Sequence, residues 1–197
     1  MEDTRAKILT TAARLFEQQG YRSVSMRAIA AQLGISVGNL TYHFPHKQDI
    51  ATALMEQEMD TIILPEQATL AALDGYLRRM LISLVDHARM FDDPLLFADL
   101  PGQQDENAAR IGRLRQNLEQ LLNALREQGS FRAELSGQVQ QDLTDLLMFS
   151  HVGWQQRAAA SRQPVIRTVE DMMRMQWLVL RPYLTPEGEQ QLKKITA

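Results

Sequence analysis

The feature that most restricts how this chain folds is a pair of short helical patterns that meet at Gly34. Ser25 is suited to cap the first helix, and the apolar residues after it recur on one helical face. Gly34 ends that helix, because glycine adopts the left-handed conformation of a helix C-terminus without a Cβ clash. Ser36 is suited to cap a second helix, which Pro45 ends. Two short helices joined by a turn that contains glycine are typical of a helix-turn-helix.

Apolar residues at helical spacing predict an all-α fold around this motif. We predict a support helix before it at 3–19 and a connecting helix after it at 47–62. Further helices are predicted at 67–91, 104–128, 137–160, 164–181 and 186–195, with an irregular segment at 93–103. The predicted fold is therefore a three-helix N-terminal domain followed by a larger helical domain.

Composition excludes several classes of protein. A chain of 197 residues with 45% hydrophobic content can bury a substantial core. The absence of cysteine excludes disulfides and thiolate metal sites, and we expect neither a cofactor nor a metal. The N-terminus has no signal-peptide core, and no apolar run approaches the roughly 20 residues that cross a bilayer. We therefore expect a soluble, cytoplasmic protein.

An ordered set of motifs in the first quarter of the chain resembles the TetR family of bacterial transcriptional regulators. The resemblance rests on Ile8 and Leu9, residues 12–16, Gly20 and Tyr21, residues 25–30, 34–36 and 38–40, and Tyr42, His43, Phe44 and Lys47. It implies a DNA-binding domain at 1–47 and a ligand-binding and dimerisation domain at 48–197. The expected partners are a double-stranded DNA operator, a small-molecule effector and a second copy of the chain.

The second helix of a helix-turn-helix lies in the major groove of DNA, and its N-terminal part meets the base edges. We expect base contacts from Ser36, Val37, Gly38 and Asn39. Asn39 can present a donor and an acceptor together to adenine, which discriminates by about 1 to 3 kcal/mol. Val37 is suited to a thymine methyl group, and Gly38 to a close approach of the helix backbone to DNA.

Other residues of the motif are expected to bind phosphates, which fixes position without specifying sequence. The candidates are Ser25, Arg27, Thr41, Tyr42, His43 and Lys47. The TetR family usually has a tyrosine where this chain has Thr41, so Tyr42 is the alternative source of that phosphate contact. Two other interpretations stay open: Tyr42 and His43 cover the junction with the next helix, and Arg27 is solvated surface charge.

Charge and apolar patterning both indicate a homodimer. Residues 1–50 have a net charge of +2, while the whole chain has −3, so the DNA-binding end is only weakly basic. The helices at 137–160 and 164–181 have apolar residues on more than one side and must be buried on more than one side. The resemblance implies the same pair of helices as the dimer interface. Two-fold symmetry would then require a pseudo-palindromic operator.

A pocket for the effector is expected among the central helices. Its candidate lining residues are Leu84, His87, Phe91, Phe97, Leu118, Phe149 and Trp154, and the alternative for each is an ordinary core position. Because the chain lacks the common catalytic motifs, we do not expect an enzyme. The predicted function is a ligand-responsive homodimeric repressor. The alternatives are an activator of the same fold and a helical adaptor without DNA binding.

Overall fold

The computed structural model describes residues 3–91, 104–160 and 169–196, and this part of the chain is helical. The helices are α1 (Thr4–Gln19), α2 (Met26–Leu33), α3 (Val37–His43), α4 (Lys47–Met59), α5 (Leu70–Phe91), α6 (Gln104–Glu127), α7 (Gly137–Ala160), α8 (Val169–Leu180) and α9 (Pro186–Thr196). The predicted all-α class is confirmed. The predicted irregular segment at 93–103 lies outside the described residues, as do residues 161–168 before α8. No described helix has the length and apolar character needed to cross a membrane.

Of the described residues, 3–61 and 85–91 belong to the first compact unit. Helix α1 packs against α2 and α4, and α2 packs against α3. Their shared core contains Ile8, Leu9, Ala12, Leu15, Phe16, Val24, Ile29, Ala30, Leu40, Phe44, Ile50, Ala51, Ala53 and Leu54. Full burial of one large apolar side chain contributes about 1.5 to 3 kcal/mol, so these contacts hold three short helices that would be marginal alone.

Helix α4 belongs to this first unit. Four of its side chains, Ile50, Ala51, Ala53 and Leu54, are buried in the N-terminal core. The compact unit that contains α1, α2 and α3 therefore continues through α4 to Thr61. The reason is that the apolar face of α4 completes the core of α1, α2 and α3. The DNA-binding domain at 1–47 and the ligand-binding and dimerisation domain at 48–197 stay predictions.

Of the described residues, 62–84, 104–160 and 169–196 belong to the second compact unit. Tyr76 of α5 is fully buried, and its hydroxyl donates to the carbonyl oxygen of Leu114 in α6 at 3.1 Å. Burial raises the pKa of Tyr76 to about 12. Near the end of the chain, Phe131 and Leu184 form an isolated antiparallel bridge that ties the residues after α6 to those before α9.

A buried carboxylate joins α5 to α8 within the second unit. One oxygen of Asp74 accepts the indole N–H of Trp177 at 2.7 Å, and the other accepts from Nε of Arg78 at 2.6 Å. Arg78 also pairs with Glu170, and its hydrogen bonds to Glu170 and Asp74 raise the pKa of Arg78. The side chain of Asp74 is 8% exposed and that of Glu170 is 71% exposed. The two carboxylates therefore bind one arginine in very different surroundings.

We expect Asp74→Ala to lower the free energy of unfolding by about 1 to 3 kcal/mol, because it leaves the buried indole N–H without its acceptor. The matched variant Glu170→Ala removes an exposed partner of the same guanidinium and should have a much smaller effect. Urea denaturation followed by circular dichroism measures both. Equal losses would show that the buried hydrogen bond to Trp177 adds no stability.

Candidate nucleic-acid interface

Serine side chains begin both helices of the helix-turn-helix. Ser25 has extended backbone angles, and its Oγ accepts from the backbone N–H of Ala28 at 3.1 Å. Ser36 does the same for α3, where its Oγ accepts from the backbone N–H of Asn39 at 3.1 Å. Both predicted N-caps are confirmed. Each hydroxyl satisfies one backbone donor that a helix start otherwise leaves unpaired.

The turn between α2 and α3 is set by Gly34, which lies in the left-handed region at φ 68° and ψ 27°. Its N–H donates to the carbonyl of Ala31 at 3.2 Å, and the N–H of Ile35 donates to the carbonyl of Ala30 at 3.1 Å. This pair of bonds is a Schellman motif. A Cβ at Gly34 would meet nothing within 4 Å, so the backbone angle alone requires glycine. The predicted end of α2 is confirmed.

Helix α3 is buried on one side and open on the other. Leu40 is fully buried and Phe44 is 3% exposed, while the guanidinium of Arg5 lies 4.9 Å from the centre of the Phe44 ring. The residues predicted to contact bases, Ser36, Val37, Gly38 and Asn39, are all exposed. Leu40 and Phe44 therefore pack against the domain, and the first turn of α3 is exposed to solvent.

Gly38 is the position where the fold itself does not explain the residue. It lies in the first turn of α3 with helical angles, and a Cβ there would approach only Oγ of Ser36, at 3.9 Å. That distance is an ordinary van der Waals contact, so alanine fits the domain. Glycine inside a helix costs about 0.5 to 1 kcal/mol relative to alanine. The contacts within the domain therefore give no reason for glycine at this position, and a close approach of DNA to Gly38 stays a prediction.

Tyr42 and His43 differ in exposure. The side chain of Tyr42 is 83% exposed, and its ring meets that of His43 edge-on with the centres 5.4 Å apart. His43 is half-buried. An aromatic ring that is so exposed does not cover a junction between helices, and a contact of Tyr42 with DNA stays a prediction. Ser25 and Arg27 are exposed at the start of α2.

Thr41 and Lys47 have partners within the domain that the sequence did not suggest. The hydroxyl of Thr41 donates to the carbonyl of Gly38 at 3.1 Å, so its hydrogen is used inside α3. The ammonium of Lys47 donates to the carbonyls of Tyr21 at 2.7 Å and Val24 at 2.8 Å. Its Nζ also lies 4.2 Å from the centre of the Tyr21 ring, and burial lowers the pKa of Lys47. Both side chains therefore have hydrogen-bond partners within the domain, and the phosphate contacts expected of them stay predictions.

The residues predicted to line an effector pocket are described at one position. Leu118 is fully buried in the second unit. The side chains of Leu84, His87, Phe91, Phe149 and Trp154, and the whole of Phe97, lie outside the described residues. The lining of a pocket therefore stays a prediction. Among the residues that the structure does describe, no cluster of His, Asp and Glu side chains could hold a metal.

Residues 8–54 match the family described as bacterial regulatory proteins, tetR family. A helix-turn-helix transcriptional regulator of Staphylococcus aureus strain USA300 is 34% identical over 62 residues, which are 32% of this chain and 34% of the relative. The chain therefore spans about a third of the length of the curated relatives that it matches. The residues that match the family model, 8–54, include α3.

Solved structures resemble the chain over nearly its whole length. A TetR-family transcriptional regulator from Marinobacter aquaeolei has a TM-score of 0.79 at 22% identity and covers 98% of each chain. A transcriptional regulator from Saccharomonospora viridis in complex with choline has a TM-score of 0.65 at 22% identity, with 89% of this chain and 94% of that chain covered. The ketosteroid regulator KstR2 of Mycobacterium tuberculosis scores 0.61 at 19% identity, with 94% and 97% covered. At these identities the likeness shows the fold.

Gly38→Ala tests whether a molecule approaches the backbone of α3. We expect the variant to be more stable by about 0.5 to 1 kcal/mol and to bind duplex DNA roughly tenfold more weakly, as for the loss of one base contact. Gly112→Ala is the matched control, since Gly112 lies in α6 with nothing within 4 Å of its would-be Cβ. It should gain similar stability and keep its DNA affinity. Thermal unfolding and fluorescence anisotropy measure the two effects, and unchanged affinity in Gly38→Ala would contradict a close approach.

Proposed function

We propose that this chain, which belongs to the TetR family through its N-terminal domain, is a ligand-responsive homodimeric repressor that binds a pseudo-palindromic operator. One observation supports DNA binding most directly: α3 exposes its whole first turn, while Leu40 and Phe44 anchor its other side. A seven-residue helix that is packed against the domain on one side and exposed on the other is suited to enter a major groove. Gly38 supports the same conclusion, because nothing inside the domain requires it.

We propose that base recognition and phosphate binding fall to different exposed residues. Asn39 and Val37 are presented at the start of α3, where Asn39 can bind adenine through two hydrogen bonds and Val37 can meet a thymine methyl group. Tyr42, Arg27 and the capped start of α2 are suited to phosphates, since helix N-termini favour anions. His43 is a second phosphate candidate beside Tyr42.

We propose a homodimer through α7 and α8, and exposed apolar side chains on these helices support it. Leu178 of α8 is 71% exposed and Leu146 of α7 is 49% exposed. Met175 of α8 and Val139 of α7 are exposed as well. Exposed apolar surface of this kind marks interaction sites in soluble domains. A second copy that pairs with the same helices would remove these side chains from water and set two copies of α3 about 34 to 36 Å apart, one turn of DNA.

The fold supports a response to a small molecule, since a structural neighbour was solved in complex with choline. Coupling of this kind is reciprocal, so an inducer that weakens operator binding must itself bind the DNA-bound form less tightly. An activator of the same fold would show the same interface with DNA. A helical adaptor would not show binding to duplex DNA that falls steeply as salt rises.

Asn39→Ala tests base recognition. Selection of bound sites from random duplex DNA should give a palindromic consensus for the parent protein. The variant should lose preference at one position in each half-site, because about 1 to 3 kcal/mol of discrimination disappears with the bidentate contact. Tyr42→Phe is the control, because removing a phosphate contact should weaken binding without changing the consensus. An identical consensus for Asn39→Ala would rule out base contact by Asn39.

Leu178→Glu tests the dimer. Burying a leucine contributes about 1.5 to 3 kcal/mol, and a two-fold interface loses this amount in each copy. We expect the variant to sediment as a monomer at concentrations where the parent is a dimer, and to lose operator binding. Ile111→Glu places the same charge at an apolar side chain of α6 that is 48% exposed, and it should stay dimeric. A Leu178→Glu dimer would refute the proposed interface.

A further inference from the structure

We propose that Lys47 is a positioning residue, which holds the segment between α1 and α2 against the start of α4 and so fixes how the helix-turn-helix is presented. This inference rests on the proposed function, because presentation matters only if α3 binds DNA. It replaces the expectation from the sequence that Lys47 binds a phosphate.

The ammonium of Lys47 is enclosed by groups from a segment that lies far from it in the sequence. It donates to the carbonyls of Tyr21 and Val24, which are 26 and 23 residues earlier in the chain. The same charge lies 4.2 Å from the centre of the Tyr21 ring, within the range of a cation–π interaction. These carbonyls belong to the first residue and to the C-cap of a single 3-10 turn at Tyr21–Ser23. Lys47 therefore binds both ends of this turn at once.

The bound segment is itself anchored at each end. The Tyr21 ring packs edge-on against Phe16 of α1, with the ring centres 5.1 Å apart. Val24 is 2% exposed, and the next residue, Ser25, caps α2. Fixing the Val24 carbonyl therefore fixes the residue before the N-cap of α2. Because the Gly34 turn joins α2 to α3, the position of that cap determines where α3 lies.

The other end of the contact is the first turn of α4. Lys47 is its first residue, and the N–H of His46 donates to the Asp49 carboxylate at 2.7 Å. Ile50, one turn later, is fully buried in the N-terminal core. The Lys47 side chain thus joins two anchored segments, the start of α4 and the residues that precede α2.

A phosphate would compete poorly for this ammonium. Two of its three hydrogens are already used by carbonyl oxygens, and hydrogen bonds from a charged donor are stronger than neutral ones. Moving Nζ to a phosphate would leave the Tyr21 and Val24 carbonyls without this donor. Arg27 provides a contrast, since it is exposed near the start of α2 and has the same charge.

The test compares Lys47→Met, which keeps the aliphatic stem, with Arg27→Met, which removes the same charge from the surface. Amide hydrogen exchange of the free protein is measured at Ser23 and Val24, and binding to the selected operator is measured over a series of salt concentrations. Arg27→Met should reduce the salt slope by about one per protomer and leave exchange unchanged. Lys47→Met should speed exchange at both amides, keep the salt slope and lower operator affinity roughly tenfold, as for one misplaced base contact.

Lys47→Arg separates the two roles further and serves if Lys47→Met does not fold. A planar guanidinium replaces an ammonium well at a phosphate but does not fit the site of a point charge between two carbonyls. The proposal therefore predicts fast exchange and weak operator binding in Lys47→Arg as well. A reduced salt slope with unchanged exchange in Lys47→Met would overturn it in favour of a phosphate contact. Faster exchange with normal affinity of the folded protein would overturn it in favour of a purely structural role.

The exchange measurement needs no DNA, so it separates failure of this inference from failure of the proposed function. If the parent protein binds no duplex from the random pool, the proposed function fails and the positioning role fails with it. Faster exchange in Lys47→Met would then show only that the contact stabilises the segment.

Discussion

The left-handed turn at Gly34 determines how the N-terminal domain presents α3. A residue with a Cβ is strained at φ 68°, and the Schellman hydrogen bonds to Ala30 and Ala31 require that angle. Helix α2 must therefore end at Leu33, and the chain must turn before Ser36 caps the next helix. The direction of this turn brings Leu40 into the core formed by α1, α2 and α4. Burial of Leu40 on one side of α3 therefore determines which residues lie on its solvent-exposed side.

The short helix α3 is stabilised by packing against the domain rather than by its own sequence. Isolated helices shorter than about 12 residues are marginal in water, and α3 has seven residues with glycine in its first turn. Burial of Leu40 and Phe44 compensates, at about 1.5 to 3 kcal/mol for each side chain. The exposed positions then contribute little to folding. Because these positions do not hold the domain together, glycine is tolerated at position 38.

Local signals made much of this structure predictable. Ser25, Gly34 and Ser36 each act on backbone groups within a few residues, so a cap or a helix end can be recognised from the sequence alone. Contacts between distant segments could not be predicted. Lys47 binds backbone carbonyls, which have no sequence signature, and Asp74 binds Trp177 from 103 residues away. Apolar residues such as Leu118 look alike in a core and in a pocket lining, so the effector site could not be derived.

The position of Lys47 strengthens the argument for a dimer. Residues 1–50 contain only six basic side chains against four acidic ones, and the Lys47 ammonium is occupied by the domain itself. Arg5 lies over the Phe44 ring, which holds part of its guanidinium against the protein. Neutralisation of phosphates by basic side chains supplies much of the affinity for DNA. A single domain with so few available basic side chains would therefore bind DNA weakly. Two linked domains gain affinity differently, because binding of the first raises the effective concentration of the second at its half-site. In the proposed homodimer, operator binding by two such weakly basic domains depends on the spacing of the two copies, and this spacing is the quantity that the proposed effector would change.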